Sequence, residues 1–376
     1  MANLKVDTIS GIGTEGPVLN GGLHFRSKNY LTLPKGTTAE RTATSSGIST
    51  VIGAIRYNTD SNKMECYVNN KWMIVSTSSP NLDGGARAIR AGGQVGGSPY
   101  PRTDTMDFVT IPTAGNATDF GNLTQVKFGP ASAGSKTRAV FMTGGTPTRL
   151  NEVDFVTFSS TGDAADFGDM TQARAPGGNA GNSNETRAYV VGGSTPSTDH
   201  VNIIDFITIS STGNGVDFGD STLLVGGRHC VGSPTRGLNM AGDVPGSNTN
   251  SIDFITIATT GNAQDFGDMQ TGGGGKSCSN SIRAVSFVGT AKQLDTTIIA
   301  TLGNSFSFGE LTQNNDGGSL STNDPTRGLF GLNTPSGGTN IMEYISMSTG
   351  GKAVDFGDLT QAITNSGATS NAHGGL

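Results

Sequence analysis

Asp-Phe-Gly occurs five times, placing carboxylates at Asp119, Asp166, Asp217, Asp265 and Asp355. Recurring carboxylates suit Ca²⁺, which takes about six to eight oxygen ligands. Ser307-Phe308-Gly309 is a degenerate sixth copy, between Asp265 and Asp355. Near-even spacing along the chain spreads the carboxylates and makes no compact ligand loop. Each is expected to be a turn carboxylate that accepts backbone N–H bonds and pairs with an arginine of its repeat. Those arginines are Arg87, Arg138, Arg187, Arg236, Arg283 and Arg327. Six arginines could meet a polyanion, but one at each strand start reads as a tie between neighbouring units. Cys230 follows Asp217 at the same distance as Cys278 follows Asp265. They read as equivalent positions wanting a small residue, as Ser132 and Ala368 do elsewhere. His24, His200, His229 and His373 are dispersed, and Gly272–Lys276 lacks the order of a phosphate loop. No Gly-x-Ser-x-Gly elbow or Ser-x-Asp-x-Gly box is present. The chain is therefore read as a non-enzyme, with no catalytic residue, no metal and no cofactor. Ligand-binding residues stay unassigned.

The elements carrying these residues repeat. An acid precedes each motif at one constant distance: Asp107, Asp154, Asp205, Asp253, Asp295 and Glu343. Between acid and motif lies a Gly turn, such as Gly115-Asn116 or Gly213-Asn214. Upstream, the repeat Arg opens a short apolar strand, as in Arg138 to Gly145 and Arg187 to Gly193. Downstream comes a Gly-rich segment, as in Gln172–Gly178 and Thr271–Cys278. It is expected to be a strand packed where only small side chains fit. Each unit thus holds three or four short strands in about 47 residues, the size of a β-propeller blade.

Composition agrees. Of 376 residues 57 are Gly, and charged residues are 14%. No helical period, heptad or collagen period appears. The net charge of −6, without a Lys/Arg cluster, argues against nucleic-acid binding. No apolar run is long enough to span a membrane, and Met1-Ala2-Asn3-Leu4-Lys5 opens no signal peptide. Three cysteines make no disulfide framework.

The first unit opens directly at Arg87, and Gln361–Leu376 supplies a Gly-rich segment with no following unit. A strand from that segment completing the first blade would close a ring of six; an open solenoid is the alternative. The stretch from repeat Arg to the next acid varies, being longest from Arg87 to Asp107 and shortest from Arg283 to Asp295. The interval from acid to motif does not vary. Variability therefore sits in Gly145–Asn151, Gly193–Asn202, Asp243–Asn250 and Asn333–Asn340. Variable loops on a rigid scaffold are common places for recognition.

Residues 1–80 lack the repeat. Residues 52–72 read as three short strands with polar turns at 58–62 and 69–70.

The double-glycine strand, the Asp-Phe-Ile-Thr-Ile strand and the Gly-Asn turn resemble kelch repeats. The likeness fails at the kelch Trp, because the only Trp is Trp72, outside the repeats. Gly53-Ala-Ile-Arg-Tyr-Asn58-Thr-Asp-Ser-Asn62-Lys-Met-Glu65, with Lys71-Trp72, resembles a module frequent in virion proteins of tailed bacteriophages, tail fibres included. Leu4-Lys-Val-Asp-Thr-Ile-Ser10-Gly and Gly22-Leu-His-Phe are similar to the starts of structural proteins of marine phages, including cyanophages. Ile252 to Asp268 resembles kelch-like repeats of those phages.

The expected fold is all-β: a six-bladed kelch-like β-propeller preceded by a small irregular β attachment region. The divisions are a virion-attachment segment over 1–50, a small β module over 51–80 and the propeller over 81–376. The resemblance implies a virion structural protein, a tail fibre or appendage component whose propeller binds a host-surface glycan or protein. Expected partners are other tail or capsid proteins, through the N-terminal region, and further copies of the chain. Nucleic acid and membrane insertion are not expected. The alternative is an architectural head or tail decoration, or an adaptor, without receptor binding. A kelch-like module unrelated to virions and a glycan-active enzyme rank below it.

Overall fold

The computed structural model describes residues 33–42, 52–61, 63–75, 86–96, 100–316, 318–334 and 337–376. The fold is all-β; the helical element among the described residues is one 3-10 turn, Ala39–Thr42. Contacts divide the chain into two compact units, Met1–Ser79 and Pro80–Leu376. Of the segment expected at 1–50, residues 33–42 are described and the rest lie outside the described residues.

In the first unit, Ile55–Asn58, Lys63–Val68 and Lys71–Ile74 form an antiparallel meander, and Lys35–Gly36 adds in parallel. The Asn69-Asn70 reversal has φ of 50° and 60°, the left-handed pair that suits a tight hairpin. Glu65 is fully buried, ion-paired with Arg41 and bonded by Asn58 Nδ2 at 2.8 Å. The Arg41 guanidinium holds the Glu65 carboxyl below the usual carboxylate range. Cross-strand register puts Ile55, Tyr57, Met64, Cys66 and Met73 on the opposite face.

The second unit is built from six sheets, each an antiparallel four-stranded meander at its core. The first strand of each sheet comes from the Gly-rich link, the second opens at the repeat Arg, the third carries the buried Asp or Glu, and the fourth carries Asp-Phe-Gly or, in the fifth sheet, Ser307-Phe308-Gly309. Sheet 1 is Gly367–Ser370, Arg87–Ala91, Thr105–Thr110 and Thr118–Asn122. Sheet 2 is Ala131–Gly134, Arg138–Gly145, Arg149–Thr157 and Ala165–Asp169. Sheet 3 is Gly181–Ser183, Arg187–Val191, Val201–Thr208 and Val216–Val225. Sheet 4 is His229–Gly232, Arg236–Met240, Ser251–Thr256 and Gln264–Asp268. Sheet 5 is Gly275–Ser279, Arg283–Val288, Thr290–Ile298 and Phe306–Asp316, with Gly351–Lys352 added in parallel. Sheet 6 is Ser321–Asn323, Arg327–Thr334, Gly337–Ser346 and Val354–Thr364, with Gln94–Val95 added. In the third repeat the first strand starts at Gly181, beyond the expected Gln172–Gly178.

Apolar residues on both faces of these strands fill the gaps between successive sheets. Ile89, Met106 and Phe120 of sheet 1 pack with Phe141 and Val156 of sheet 2. Phe167 and Met170 of sheet 2 pack with Val190 and Ile207 of sheet 3. Similar clusters join sheets 3 and 4, 4 and 5, and 5 and 6. Another joins Leu329, Met342 and Phe356 of sheet 6 to Val109 and Ile111 of sheet 1. Within sheets the two motif rings meet edge to face, as Phe108 and Phe120 do at 5.9 Å and 80°. The late strand Gly367–Ser370 pairs with Arg87–Ala91, so sheet 1 joins residues far apart in the chain.

Candidate functional site

The conspicuous residues of the repeat are used between sheets. The Asp-Phe-Gly carboxylates are exposed, and Asp166 Oδ1 accepts the Gly168 N–H at 3.1 Å. The expected pairing with the repeat Arg does not occur, because the guanidinium is engaged elsewhere. Arg87 lies over the Phe108 ring at 4.5 Å and donates to the Phe158 carbonyl of sheet 2 at 2.7 Å. Arg138, Arg187 and Arg236 repeat this toward Ile209, Ile257 and Ile299. Arg327 of sheet 6 donates to Ile111 of sheet 1 at 3.0 Å. A guanidinium can stack and still donate from its edge, so one side chain makes both contacts.

The Gly turn of each repeat docks on the Asp-Phe-Gly of the sheet before it. Gly162 N–H donates to the Phe120 carbonyl at 2.7 Å, and the Asn122 N–H to Asp163 Oδ1 at 2.9 Å. The same geometry links sheet 6 to sheet 1, with Gly115 donating to Phe356 at 2.8 Å. The contact requires glycine: a Cβ on Gly357, at φ +139°, would stand 2.5 Å from the Gly115 oxygen.

The earlier acid of each pair is the one that is buried, which the sequence did not reveal. Four of these aspartates meet buried cations: Asp107 with Arg90, Asp154 with Lys127 at 2.7 Å, Asp205 with Arg174 at 3.0 Å and Asp253 with Arg228 at 3.2 Å. Each of the six acids also accepts from the Thr or Gln that follows Asp-Phe-Gly in the preceding sheet. Thr124 donates to Asp154 at 2.6 Å, and Thr360 of sheet 6 donates to Asp107 of sheet 1 at 2.7 Å.

The first strands wall a common cavity of about 30 Å³, touched by Ser132, Asn182, Cys230, Ser277, Thr322 and Ala368, one from each sheet. That is room for about two waters. Serine hydroxyls tie these strands across sheets. Ser132 donates to Ala368 O at 2.6 Å, Ser183 to Gly134 O at 2.7 Å, Ser279 to Gly232 O at 2.8 Å and Ser321 to Ser277 O at 2.7 Å. Toward one end, Asn179 Oδ1 accepts from Ser277 N at 2.8 Å and Ser321 Oγ at 3.1 Å. At the other, His373 Nε2 meets Gly134 O at 2.9 Å and Ser183 Oγ at 3.2 Å. Burial lowers the His373 pKa to about 4, so it is neutral near pH 7.

The cysteines need a correction. Cys230 faces Asn239, three positions after Arg236, whereas Cys278 faces Val285, two positions after Arg283. They are one residue apart in register and point to opposite faces; the counterpart of Cys230 is Ser277. Burial pushes both thiols up, which makes them unreactive. Ser277 Oγ bonds His229 Nδ1, but no acid orients that imidazole, and burial with Arg228 and Lys276 nearby lowers its pKa to about 3. This is no nucleophile–base pair open to a substrate. No group of three metal-ligating side chains occurs among the described residues.

The variable loops share one end of the sheets with the links into the first strands. Bridges Phe128–Gly145, Ala175–Ser194 and Gly226–Asp243 join the two sets. Pro335 and Ser336, in the loop Asn333–Asn340, lie outside the described residues. Asp243–Asn250 holds a small hairpin, and Asp243 Oδ2 meets His200 Nε2 at 2.6 Å. Phe128 lies 4.9 Å from the Arg102 guanidinium and 5.9 Å from that of Arg149. Neither arginine has an acid within ion-pair distance among the described residues. Exposed Tyr100, Val126 and Leu224 lie on this loop face too. The arrangement suits noncovalent recognition through guanidinium and apolar contacts.

Comparison with protein-family models and with curated proteins finds no match to the chain.

Proposed function

We propose that this chain is a structural protein of a tailed-phage virion, a tail fibre or appendage component. In this reading its second unit is a six-bladed kelch-like β-propeller whose loop face binds a host-surface glycan or protein. The observation that carries the architecture is that every kind of tie between successive sheets recurs between sheet 6 and sheet 1. The apolar cluster, the Arg-to-carbonyl bond, the Gly turn and the Thr–Asp bond are all there. The host-binding role rests on the phage-like motifs and on variable loops gathered at one end beside the unpaired Arg102 and Arg149. The N-terminal unit docks on other virion proteins. Its apolar sheet face supports this, with Ile55 48% and Met73 54% exposed.

The test is competition. Purified full-length protein added before infection should bind host cells and slow adsorption of the phage. The R102A/R149A double variant should compete at least tenfold less well. Failure of the unaltered chain to bind host cells, with antibody label over the head or tail shaft, would favour the decoration role instead.

A further inference from the structure

Buried cations in sheets 1 to 4 each answer an aspartate of their own sheet. Sheet 5 departs from this. Arg228 stands eight positions before Arg236, but Lys276 stands seven before Arg283. Lys276 faces Phe287, as His229 faces Met240, each of these four positions after its repeat Arg. Lys276 therefore takes the place of His229, not that of Arg228. Neighbouring residues of a strand point to opposite faces, so its ammonium is turned away from Asp295. Gln270 Nε2 meets Asp295 instead, at 2.9 Å.

Lys276 is 4% exposed, and no carboxylate lies within ion-pair distance among the described residues. Its side chain passes Gly318, where a Cβ would stand 2.9 Å from Cγ. Its Nζ ends 3.1 Å from the Cβ position of Gly178, a residue pressed on the Ser366 carbonyl. A Cβ on Gly129 would lie 3.5 Å from Gly177 Cα, and one on Gly177 would lie 3.4 Å from Gly227 Cα. The links into the first strands thus meet here through glycine backbone, and the Asp243 carboxylate lies against the link at Gly227, where a Cβ would stand 2.7 Å from its Oδ1. The N–H groups of Gly177 and Gly178 make no hydrogen bond among the described residues. His229 Nε2 is buried without a partner. Arg228 and Lys276 both act on the His229 ring, and the carboxylate that answers Arg228, Asp253, is already bonded by Asn239, Ser221 and Thr222 as well. A buried cation without a counter-charge is costly, and a bound anion removes that cost.

We propose an anion site where Lys276 Nζ meets the Gly177–Gly178 backbone, next in the chain to Asn179 of the common cavity. The Lys276 ammonium and the Gly177 and Gly178 N–H groups hold a small monovalent anion there. A free halide and the carboxylate of an acidic sugar present the same charge. The halide source is independent of the host-binding reading, and the sugar source rests on it.

The full-length chain is melted at pH 7 in rising bromide, chloride or glucuronate, with ionic strength held constant by methanesulfonate and with glucose as neutral control. At least one of these anions should raise Tm to a plateau, as mass action requires. K276M should lose that rise. A rise with halide identifies a free ion, and a rise with glucuronate alone identifies a sugar carboxylate. Equal anion dependence in the chain and in K276M would overturn the proposal, as would no anion dependence at all. If K276M does not fold, crystals of the unaltered chain soaked separately in bromide and in glucuronate decide. A bromide anomalous peak or a carboxylate at hydrogen-bonding distance from Lys276 Nζ supports the site. Absence of both overturns it.

Discussion

Sheets 4 and 5 are neighbours built on the same repeat, yet they treat a buried positive charge in opposite ways. In sheet 4, Arg228 reaches Asp253 at 3.2 Å and also donates to the Ser251 carbonyl at 3.2 Å. In sheet 5, Lys276 has no acid, and Asp295 is met by an amide. Desolvation accordingly raises the Asp295 pKa and lowers that of Lys276 to about 8. The link from Asp265 to Arg283, into sheet 5, is one residue shorter than the link from Asp217 to Arg236, into sheet 4. One residue is enough to turn an ion pair into two isolated charges, because side chains alternate along a strand.

The largest separation of the two sheets should come from removing the acids. Asp253→Ala leaves Arg228 buried without its partner and should cost about 3–5 kcal/mol in urea unfolding. Asp295→Ala removes a hydrogen bond from the Gln270 amide and leaves no buried cation unpaired, and should cost about 1 kcal/mol. Equal costs would break the comparison.

The next effect is in pH. The folded Lys276 titrates at about 8, below its unfolded value. Between about 8 and 10.5 the unfolded chain binds the extra proton, so this lysine's contribution to stability rises with pH, by about 3 kcal/mol across the window. Cys230, Cys278 and Tyr189, all raised by burial, act in the opposite direction. The measurement is therefore the difference between the chain and K276M in halide-free buffer. That difference should grow in favour of the chain above pH 8; a flat difference would place Lys276 in water.

The smallest effect concerns the repeat arginines. Arg236 lies 4.5 Å from the Phe254 ring and donates to Ile299 O at 2.8 Å. Arg283 lies 5.0 Å from Phe308 and, among the described residues, has no such carbonyl bond. R236A should lower stability by about 1 kcal/mol more than R283A. Matching midpoints would show that stacking alone carries the tie.

What could be read beforehand follows from this contrast. The constant interval from acid to motif marked the third and fourth strands and their turn in every repeat, because a tight hairpin fixes its own length. The link into the first strand varies in length, so counting across it failed. Cys230 and Cys278 were aligned one residue out, and Lys276 looked like part of a glycine loop. In the first four repeats the two acids share the same Asp-Phe context. Their separation into a buried acid and an exposed one depends on a bulge, as between Met106 and Asp107, which no residue type announces. In the first unit the three antiparallel strands were legible from the polar turns at 58–62 and 69–70, while Lys35–Gly36 is too short to carry a pattern.

The central claim is that sheet 1 is completed by Gly367–Ser370, so that sheet 6 and sheet 1 hold each other. Truncation after Asn365 removes that strand together with Ala368 of the joining cluster. Urea unfolding of the truncated and full-length chains compares them directly. The account predicts a large fall in the midpoint or loss of the cooperative transition. An unchanged unfolding curve would contradict it.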